Sequence, residues 1–129
     1  MENCIFCKIA SGEIPANIIW ENETHMAILD TSPKVKGMTV VIPKAHKPSY
    51  LFNNDDKDIC ELILATKQAA KFLEKGLGVE WVFMQAEGLE VSHLHTKLYP
   101  VYENYKEQLK EKPSAEELLD LAEEIRSKN

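Results

Sequence analysis

The amino-acid sequence predicts an α+β domain with an antiparallel sheet. Short apolar runs typical of strands come first, one long amphipathic segment follows, and further strands and a final helix complete the chain. This order of elements is typical of α+β folds. The chain has 129 residues, of which 44% are hydrophobic and 28% are charged, and these values fit one domain with a single core.

Three short strands are predicted in the first third of the chain, after a loop-rich start. We expect residues 1–17 to be loop-rich, because Pro15 interrupts regular structure there. Short apolar runs at residues 18–20 and 26–29 predict two strands joined by a turn. The β-branched run at residues 38–42 predicts a buried strand that stops before the following proline.

One long helix is predicted near the middle of the chain. Residues 55–75 place apolar side chains at helical spacing. Asn53 or Asn54 can cap its start, and the aspartates that follow suit the positive end of the helix dipole. Gly76 supplies a natural C-terminal stop, so we expect the helix to end there.

Two further strands and a second helix are predicted in the last part of the chain. Residues 80–85 and 91–101 have the composition of strands and are separated by a loop centred on Gly88. Ser114 and Glu117 match a capping box, which predicts that a helix begins at this point. Its apolar stripe consists of Leu118, Leu121, Ala122 and Ile125.

The strand predicted at residues 91–101 carries the residues with the most chemistry. His93, His95 and Lys97 are spaced two apart, so in a strand they project from one face, while Leu94 and Thr96 face the core. An imidazole is largely neutral near pH 7 and can attack phosphorus to form a covalent intermediate. The spacing alone is a weak signal, and two histidines on an exposed edge strand are the alternative interpretation.

A longer set of motifs makes the interpretation more specific. The segment from His93 to Pro100 resembles the signature of the histidine-triad superfamily, in which three histidines alternate with apolar residues. Ordered combinations of motifs are far more specific than any one of them. Four other segments resemble the same family in the same order, namely residues 4–15, 28–33, 37–46 and 88–91.

The resemblance implies a nucleotide-binding enzyme. Members of this family bind purine nucleotides and split phosphoramidate or phosphoanhydride bonds through a nucleotidyl-histidine intermediate, as hydrolases or nucleotidyl transferases. The second histidine of the signature is the nucleophile, which here is His95. Asp30 corresponds to the acid that accepts hydrogen bonds from the ribose hydroxyls, and a simple turn-starting aspartate is the alternative for this residue. Phe6, Ile9 and Ile28 correspond to residues that line the base pocket, and ordinary core packing is the alternative for these three.

The sequence also departs from the family pattern. Lys97 stands where the third histidine belongs, Met38 replaces a histidine found near the phosphates, and Leu89 replaces a common glutamine. We expect Lys97 and Glu90 on the phosphate side of the site. Lysine binds phosphate as a point charge but does not exchange protons near neutral pH unless its pKa is strongly lowered. A catalytically weak nucleotide-binding module is therefore an alternative to a fast enzyme.

A metal site is the second expectation that the resemblance carries. Cys4 and Cys7 form a C-x-x-C pair, which is one half of a possible metal-ligand set. The alternatives to a metal site are a reduced pair of cysteines near the core and a redox motif. In zinc-containing bacterial-type members of the family, this pair binds zinc together with the residues that correspond to His46 and His93. Four protein ligands leave no open position, so such a zinc is structural. A third possible function is accordingly a zinc-stabilised interaction protein.

The resemblance also implies a five-stranded antiparallel sheet with one main helix, and a homodimer that pairs through that helix and a strand. We expect residues 1–101 to form the nucleotide-binding domain. Residues 102–129, a polar connection and an extra C-terminal helix, are expected to belong to the same single domain. The net charge of −6 argues against a nucleic-acid polymer as partner. No apolar run long enough for a membrane and no signal-peptide pattern is visible, so we expect a cytoplasmic protein.

Overall fold

A computed structural model describes residues 3–103 and 109–129. Its helices are α1 (Ile5–Ala10), α2 (Asp56–Leu77) and α3 (Ala115–Ser127), with a short 3-10 helix at Leu51–Asn53, and its strands are β1 (Ile18–Glu21), β2 (His25–Leu29), β3 (Thr39–Pro43), β4 (Trp81–Gln85) and β5 (Thr96–Val101). The strands form one sheet in the order β1-β2-β3-β5-β4, and every neighbouring pair is antiparallel. The predicted α+β fold with a five-stranded antiparallel sheet is confirmed.

The sheet separates two hydrophobic clusters, because successive side chains of a strand point to opposite faces. The larger cluster lies between the sheet and helices α2 and α3, and includes Leu29, Val41 and Leu98. The smaller cluster lies on the face turned toward α1 and consists of Cys4, Phe6, Met26, Ile28, Val40 and Ile42. We call this second face the site face. Long helices thus cover most of one face, whereas the short α1 covers only part of the other.

The N-terminal segment differs from the predicted loop. Residues Ile5–Ala10 form a helix, and the Cys4 sulfur caps it by accepting a hydrogen bond from the Cys7 backbone N–H at 3.3 Å. Phe6 is buried in the smaller cluster. Six residues are too few to show helical periodicity, and cysteine is not among the usual N-cap residues, so the sequence pattern did not reveal this helix.

Both ends of α2 differ from the prediction. Asp55, not Asn53 or Asn54, caps the start, and its side chain accepts from the Asp58 N–H at 2.8 Å. The helix continues through Gly76 to Leu77, and its C-cap residue Gly78 takes the left-handed conformation with φ of 68°. A Cβ atom on Gly76 would lie 2.6 Å from Ile125 Cγ2, so this glycine allows α3 to approach α2 closely.

Strand β5 is shorter than predicted, because it begins at Thr96 rather than at residue 91. The backbone N–H of His93 bonds to Val91 O, and that of Leu94 bonds to Lys47 O in the loop after β3. These bonds draw the segment away from regular sheet pairing. The capping box of Ser114 and Glu117 forms as predicted and begins α3.

Strand β3 includes Pro43, one residue beyond its predicted end. Proline is tolerated there because it occupies the last position of the strand, where it pairs with His25. Within the two described ranges, no helix combines the length and the apolar character that crossing a membrane requires.

Candidate functional site

His95 and Lys97 lie on the site face, where the sheet is only partly covered. The ring of His95 meets the ring of Phe6 edge-on, with centroids 5.2 Å apart. Lys97 pairs with Val40 of β3, which belongs to the cluster on the same face. Thr96 points to the opposite face, where its hydroxyl bonds to α2 at 2.8 Å. The alternation expected from the sequence therefore holds across the start of β5.

His95 is held in a definite tautomer. Its Nδ1 lies 2.7 Å from the carbonyl oxygen of His93, and a carbonyl only accepts, so Nδ1 carries a proton. In a neutral ring, the lone pair is then on Nε2. Burial lowers the pKa of His95 below its usual value, and Lys97 lowers it further against the opposing effect of the backbone bond. The ring is therefore neutral near pH 7, with an unprotonated Nε2.

Lys97 supplies positive charge beside this histidine. Its Nζ lies 3.7 Å from a carboxylate oxygen of Glu90, and the Lys97 side chain is 15% exposed while that of Glu90 is 78% exposed. The carboxylates of Glu87 and Asp30 raise the pKa of His95, whereas Lys97 lowers it. The charged surroundings are therefore mixed, with one cation close to several carboxylates.

The residues expected to hold the nucleoside gather on the same face. Phe6 and Ile28 are buried in the smaller cluster, and Ile9 packs against it. Asp30 follows β2 directly, and one of its carboxylate oxygens accepts from the Ser32 N–H at 2.8 Å. Because its charge acts on His95, Asp30 lies within electrostatic range of the histidine. The structure thus brings the apolar residues, the carboxylate and the histidine into one region.

The four residues expected to bind metal meet at the end of the sheet. The ligand atoms of Cys4, Cys7, His46 and His93 all lie within 4.8 Å of one another. Sulfur-to-nitrogen distances are 3.2 Å from Cys4 to His93 and 3.2 Å from Cys7 to His46. A tetrahedral zinc with ordinary bond lengths has such edges at about 3.6 Å. The cluster therefore fits a small tetrahedral cation after minor adjustment.

The hydrogen bonds of His93 agree with a ligand role. Its Nε2 lies 2.8 Å from Pro43 O and donates to it, which leaves Nδ1 with a lone pair directed at the sulfurs. Burial raises the pKa of the Cys7 thiol, and the neighbouring Cys4 sulfur adds to this effect. A Cys7 thiolate therefore needs a nearby cation to remain ionised near neutral pH.

The site face also holds two polar residues that the sequence interpretation did not single out. The Tyr99 hydroxyl donates to Gln85 Oε1 at 2.8 Å, and the ring of Tyr99 stacks on Phe83. Tyr99 continues the two-residue alternation of His95 and Lys97, so extending that pattern could have found it. Gln85 faces the site only because of the register between β4 and β5, which the local sequence does not reveal.

Comparisons with known proteins agree with the motifs. A sequence model of the HIT domain matches residues 11–104. The chain is 39% identical over 105 residues to an uncharacterised HIT-like protein of Methanocaldococcus jannaschii, a match that covers 78% of this chain and 80% of that protein. It is 34% identical over 105 residues to an adenosine 5'-monophosphoramidase of Schizosaccharomyces pombe, with 76% and 74% covered. The crystal structure of a Zn-bound histidine triad family protein from Mycobacterium smegmatis is similar, with a TM-score of 0.82, 25% identity, and coverage of 98% of this chain and 92% of that one.

Proposed function

This chain belongs to the HIT domain family, and from that premise we propose that it is a nucleotide hydrolase or nucleotidyl transferase acting through His95. The substrate is a purine nucleotide joined to a leaving group by a phosphoramidate or phosphoanhydride bond. The observation that carries this proposal is the tautomer of His95, whose Nδ1–H is fixed on a backbone carbonyl so that Nε2 is a free nucleophile. The phosphoramidase relative supports the choice of reaction class.

The proposed reaction has two displacements at phosphorus. In the first, the lone pair of His95 Nε2 forms a bond to phosphorus, and the bond to the leaving group breaks. The leaving group keeps that electron pair and takes a proton from solvent. In the second, water attacks phosphorus, loses a proton to solvent, and releases the nucleotide from His95. Lys97 stabilises negative charge on the phosphoryl oxygens, as a fixed cation does.

The remaining site residues have proposed roles in binding. Phe6, Ile9 and Ile28 form an apolar surface for the base, and Asp30 accepts hydrogen bonds from the ribose hydroxyls. One Asp30 oxygen already accepts from Ser32, and within residues 3–103 and 109–129 the other has no hydrogen-bond donor, so it is available to the sugar. Glu90 shares Lys97 with the phosphate, so we propose that it moves aside or exchanges partners when the nucleotide binds.

We also propose that Cys4, Cys7, His46 and His93 bind a structural zinc ion. Zinc would hold the start of α1 to the segment that precedes β5, and with four protein ligands it would take no part in the reaction. The close cluster of ligand atoms and the Zn-bound family neighbour support this assignment. His93 is then a metal ligand and not a catalytic base.

Turnover of adenosine 5'-phosphoramidate tests the proposed reaction. We expect AMP release by the native protein and a loss of at least about a thousandfold in His95→Ala, because the nucleophile is removed. His25→Asn is the matched control, since His25 is similarly buried but lies away from the site face. AMP binding without turnover would favour the weak nucleotide-binding module. Absence of both turnover and binding would leave only the zinc-stabilised interaction protein.

A second copy of the chain is the proposed partner. Strand β4 is at the edge of the sheet, where its backbone can pair with another strand. It exposes Trp81, Phe83 and Met84, and α2 exposes Leu64. Light scattering should give a dimer that Met84→Lys weakens and that Leu119→Lys, on α3, leaves intact.

The cytoplasmic location expected from the sequence stays a prediction.

A further inference from the structure

We propose that a cavity between the β2–β3 loop and the C-terminal segment binds a small neutral aromatic molecule of one or two rings. The cavity has a volume of about 190 Å³, and its walls come from residues 29–38 on one side and residues 109–121 on the other. We call it the α3 cavity. It is distinct from the surface proposed for the base, because Phe6, Ile9 and Ile28 do not line it.

The inner walls of the α3 cavity are apolar. Leu29, Met38 and Leu118 line it and are buried. Pro113 and Leu121 continue this apolar lining along the C-terminal segment. A buried water needs about two to four polar partners, so walls of this kind suit an apolar ligand better than water.

The volume sets the size of the ligand. An apolar cavity of about 150 Å³ is large enough to bind benzene, and the α3 cavity is somewhat larger. It therefore suits a single ring or two fused rings, and it is too small for a whole nucleotide. A rigid ring also loses less conformational entropy on binding than an alkyl chain of similar size.

The charged residues at the rim of the α3 cavity disfavour an acidic ligand. Asp30 and Glu117 contribute carboxylates, and Lys36, which is exposed, contributes one ammonium group. Both carboxylates accept hydrogen bonds from backbone N–H groups, those of Ser32 and Ser114. The rim therefore carries a net negative charge. A neutral ring avoids this charge and also avoids the cost of burying a charge of its own among apolar walls.

Asp30 links the α3 cavity to the function proposed above, and this part of the inference rests on that function. Hydrogen bonds from the Leu109 N–H to Lys34 O at 2.8 Å and from the Tyr102 hydroxyl to Lys36 O at 2.7 Å hold the loop that follows Asp30. A ring in the cavity adds contacts that favour this arrangement, in which Asp30 is proposed to meet the ribose. Bound ring and bound nucleotide should therefore raise each other's affinity by the same factor.

Methyl NMR with indole tests the site directly. In protein labelled at its methionine and leucine methyl groups, indole should shift the signals of Met38, Leu29 and Leu118, which line the cavity. The signals of Met26 and Leu62, which are buried elsewhere, should not move. We expect a dissociation constant on the order of 1 mM or lower for indole, and at least about tenfold weaker binding of the anion indole-3-acetate.

Leu121→Phe is the variant designed to block the cavity. Leu121 lines it from α3 and is only partly buried, so a larger side chain can occupy the space at little cost to the core. The indole shifts should disappear in this variant and persist in Leu119→Phe, a matched control at an exposed position of α3. Leu109→Trp, at the exposed rim, is a second blocking variant that spares α3 altogether.

Calorimetry with AMP in the presence and absence of indole measures the coupling, and we expect indole to raise AMP affinity about fivefold. Unshifted Met38 and Leu118 signals at about 10 mM indole, or shifts that persist in both blocking variants, would overturn the proposed site. Equal binding of indole-3-acetate would overturn the choice of a neutral ligand, and an unchanged AMP affinity would overturn the link through Asp30. Indole binding by a protein that does not bind AMP would leave the α3 cavity as a ligand site and count against the proposed function alone.

Discussion

His93 and His95 are two residues apart, yet their surroundings leave opposite nitrogens free. His95 donates through Nδ1 to a backbone carbonyl, which leaves Nε2 for a substrate. His93 donates through Nε2 to Pro43 O, which leaves Nδ1 for the cysteine cluster. The partner of one ring nitrogen decides the role of the other. Two identical side chains therefore suit two different tasks, one as a nucleophile and one as a metal ligand.

A single substitution at Lys97 should weaken nucleotide binding without altering the stability of the fold. Lys97→Gln keeps a polar side chain but removes the charge, so we expect AMP affinity to fall about tenfold, and its salt dependence to weaken, while stability changes little. Calorimetry at two salt concentrations measures this. Lys71→Gln, on the exposed surface of α2, is the matched control. Equal AMP affinity in Lys97→Gln and the native protein would remove Lys97 from the phosphate site.

Individual site residues differ in how far the sequence predicts them. The alternation of His93, His95 and Lys97 is visible in the chain, because strand-like spacing sorts side chains by face. Gln85 is not visible in this way, since it reaches the site only through its register with Lys97. Long-range pairing of this kind is set by the whole sheet and not by local composition.

At the scale of elements, hydrophobic periodicity predicts which long segments form helices, but it does not predict the residues at which those helices begin and end. Gly76 has the composition of a helix stop, but the helix passes through it because α3 packs against that position. Gly78, two residues later, takes the left-handed conformation that ends the helix. Both glycines suit a C-terminus equally well in sequence, and only the packing of α3 distinguishes them.

Gly76→Ala tests this packing. In an exposed helix, replacing glycine by alanine stabilises by about 0.5–1 kcal/mol. Here the new Cβ would lie 2.6 Å from Ile125 Cγ2 and 2.9 Å from the Ile125 backbone, so we expect destabilisation by about 1–3 kcal/mol. Urea unfolding measures the difference. A stabilised Gly76→Ala protein would show that α2 and α3 are not in close contact.

Tyr102 connects β5 to the loop between β2 and β3. Its hydroxyl donates to Lys36 O at 2.7 Å, and burial raises its pKa to about 12. An unfolded chain releases this proton near pH 10. Between about pH 10 and 12, Tyr102 is therefore ionised in the unfolded state but still protonated in the folded state. This ionisation stabilises the unfolded state, so the free energy of unfolding should fall over that range.

The matching measurement is the unfolding free energy from pH 9.5 to 11.5. Tyr102→Phe should lose stability below pH 10 and show a flatter decline above it, because the titrating group is gone. Tyr50→Phe, at an exposed tyrosine, should follow the native slope. Equal slopes for Tyr102→Phe and the native protein would contradict the account.

At the scale of the whole molecule, α3 connects the C-terminal segment to the core. Leu118, Ala122 and Ile125 are buried in the larger cluster, and Arg126 donates to Ile18 O of β1 at 2.7 Å. These contacts support the proposal that residues 102–129 belong to one domain with residues 1–101. The apolar stripe predicts that α3 packs, but not where, because periodicity identifies a buried face and not its partner.

The proposed zinc ion connects the start of α1 to the segment that precedes β5. We expect about one zinc per chain in the purified protein, and Cys7→Ala to remove the metal and about 4 kcal/mol of stability. Elemental analysis and urea unfolding measure these two effects. Cys60→Ala, at an exposed cysteine on α2, should retain metal and stability. Purified protein without zinc, whose stability Cys7→Ala does not alter, would exclude a structural metal.

The central claim is that the nucleotidyl group is transferred first to His95 and then to water, in two displacements at phosphorus. The most direct measurement is the stereochemical outcome at phosphorus, read from a substrate whose phosphorus is chiral through sulfur and from hydrolysis in oxygen-18 water. Two in-line displacements invert the phosphorus twice, so the account predicts net retention of configuration. Net inversion would show a single direct attack by water and would contradict a nucleotidyl-His95 intermediate.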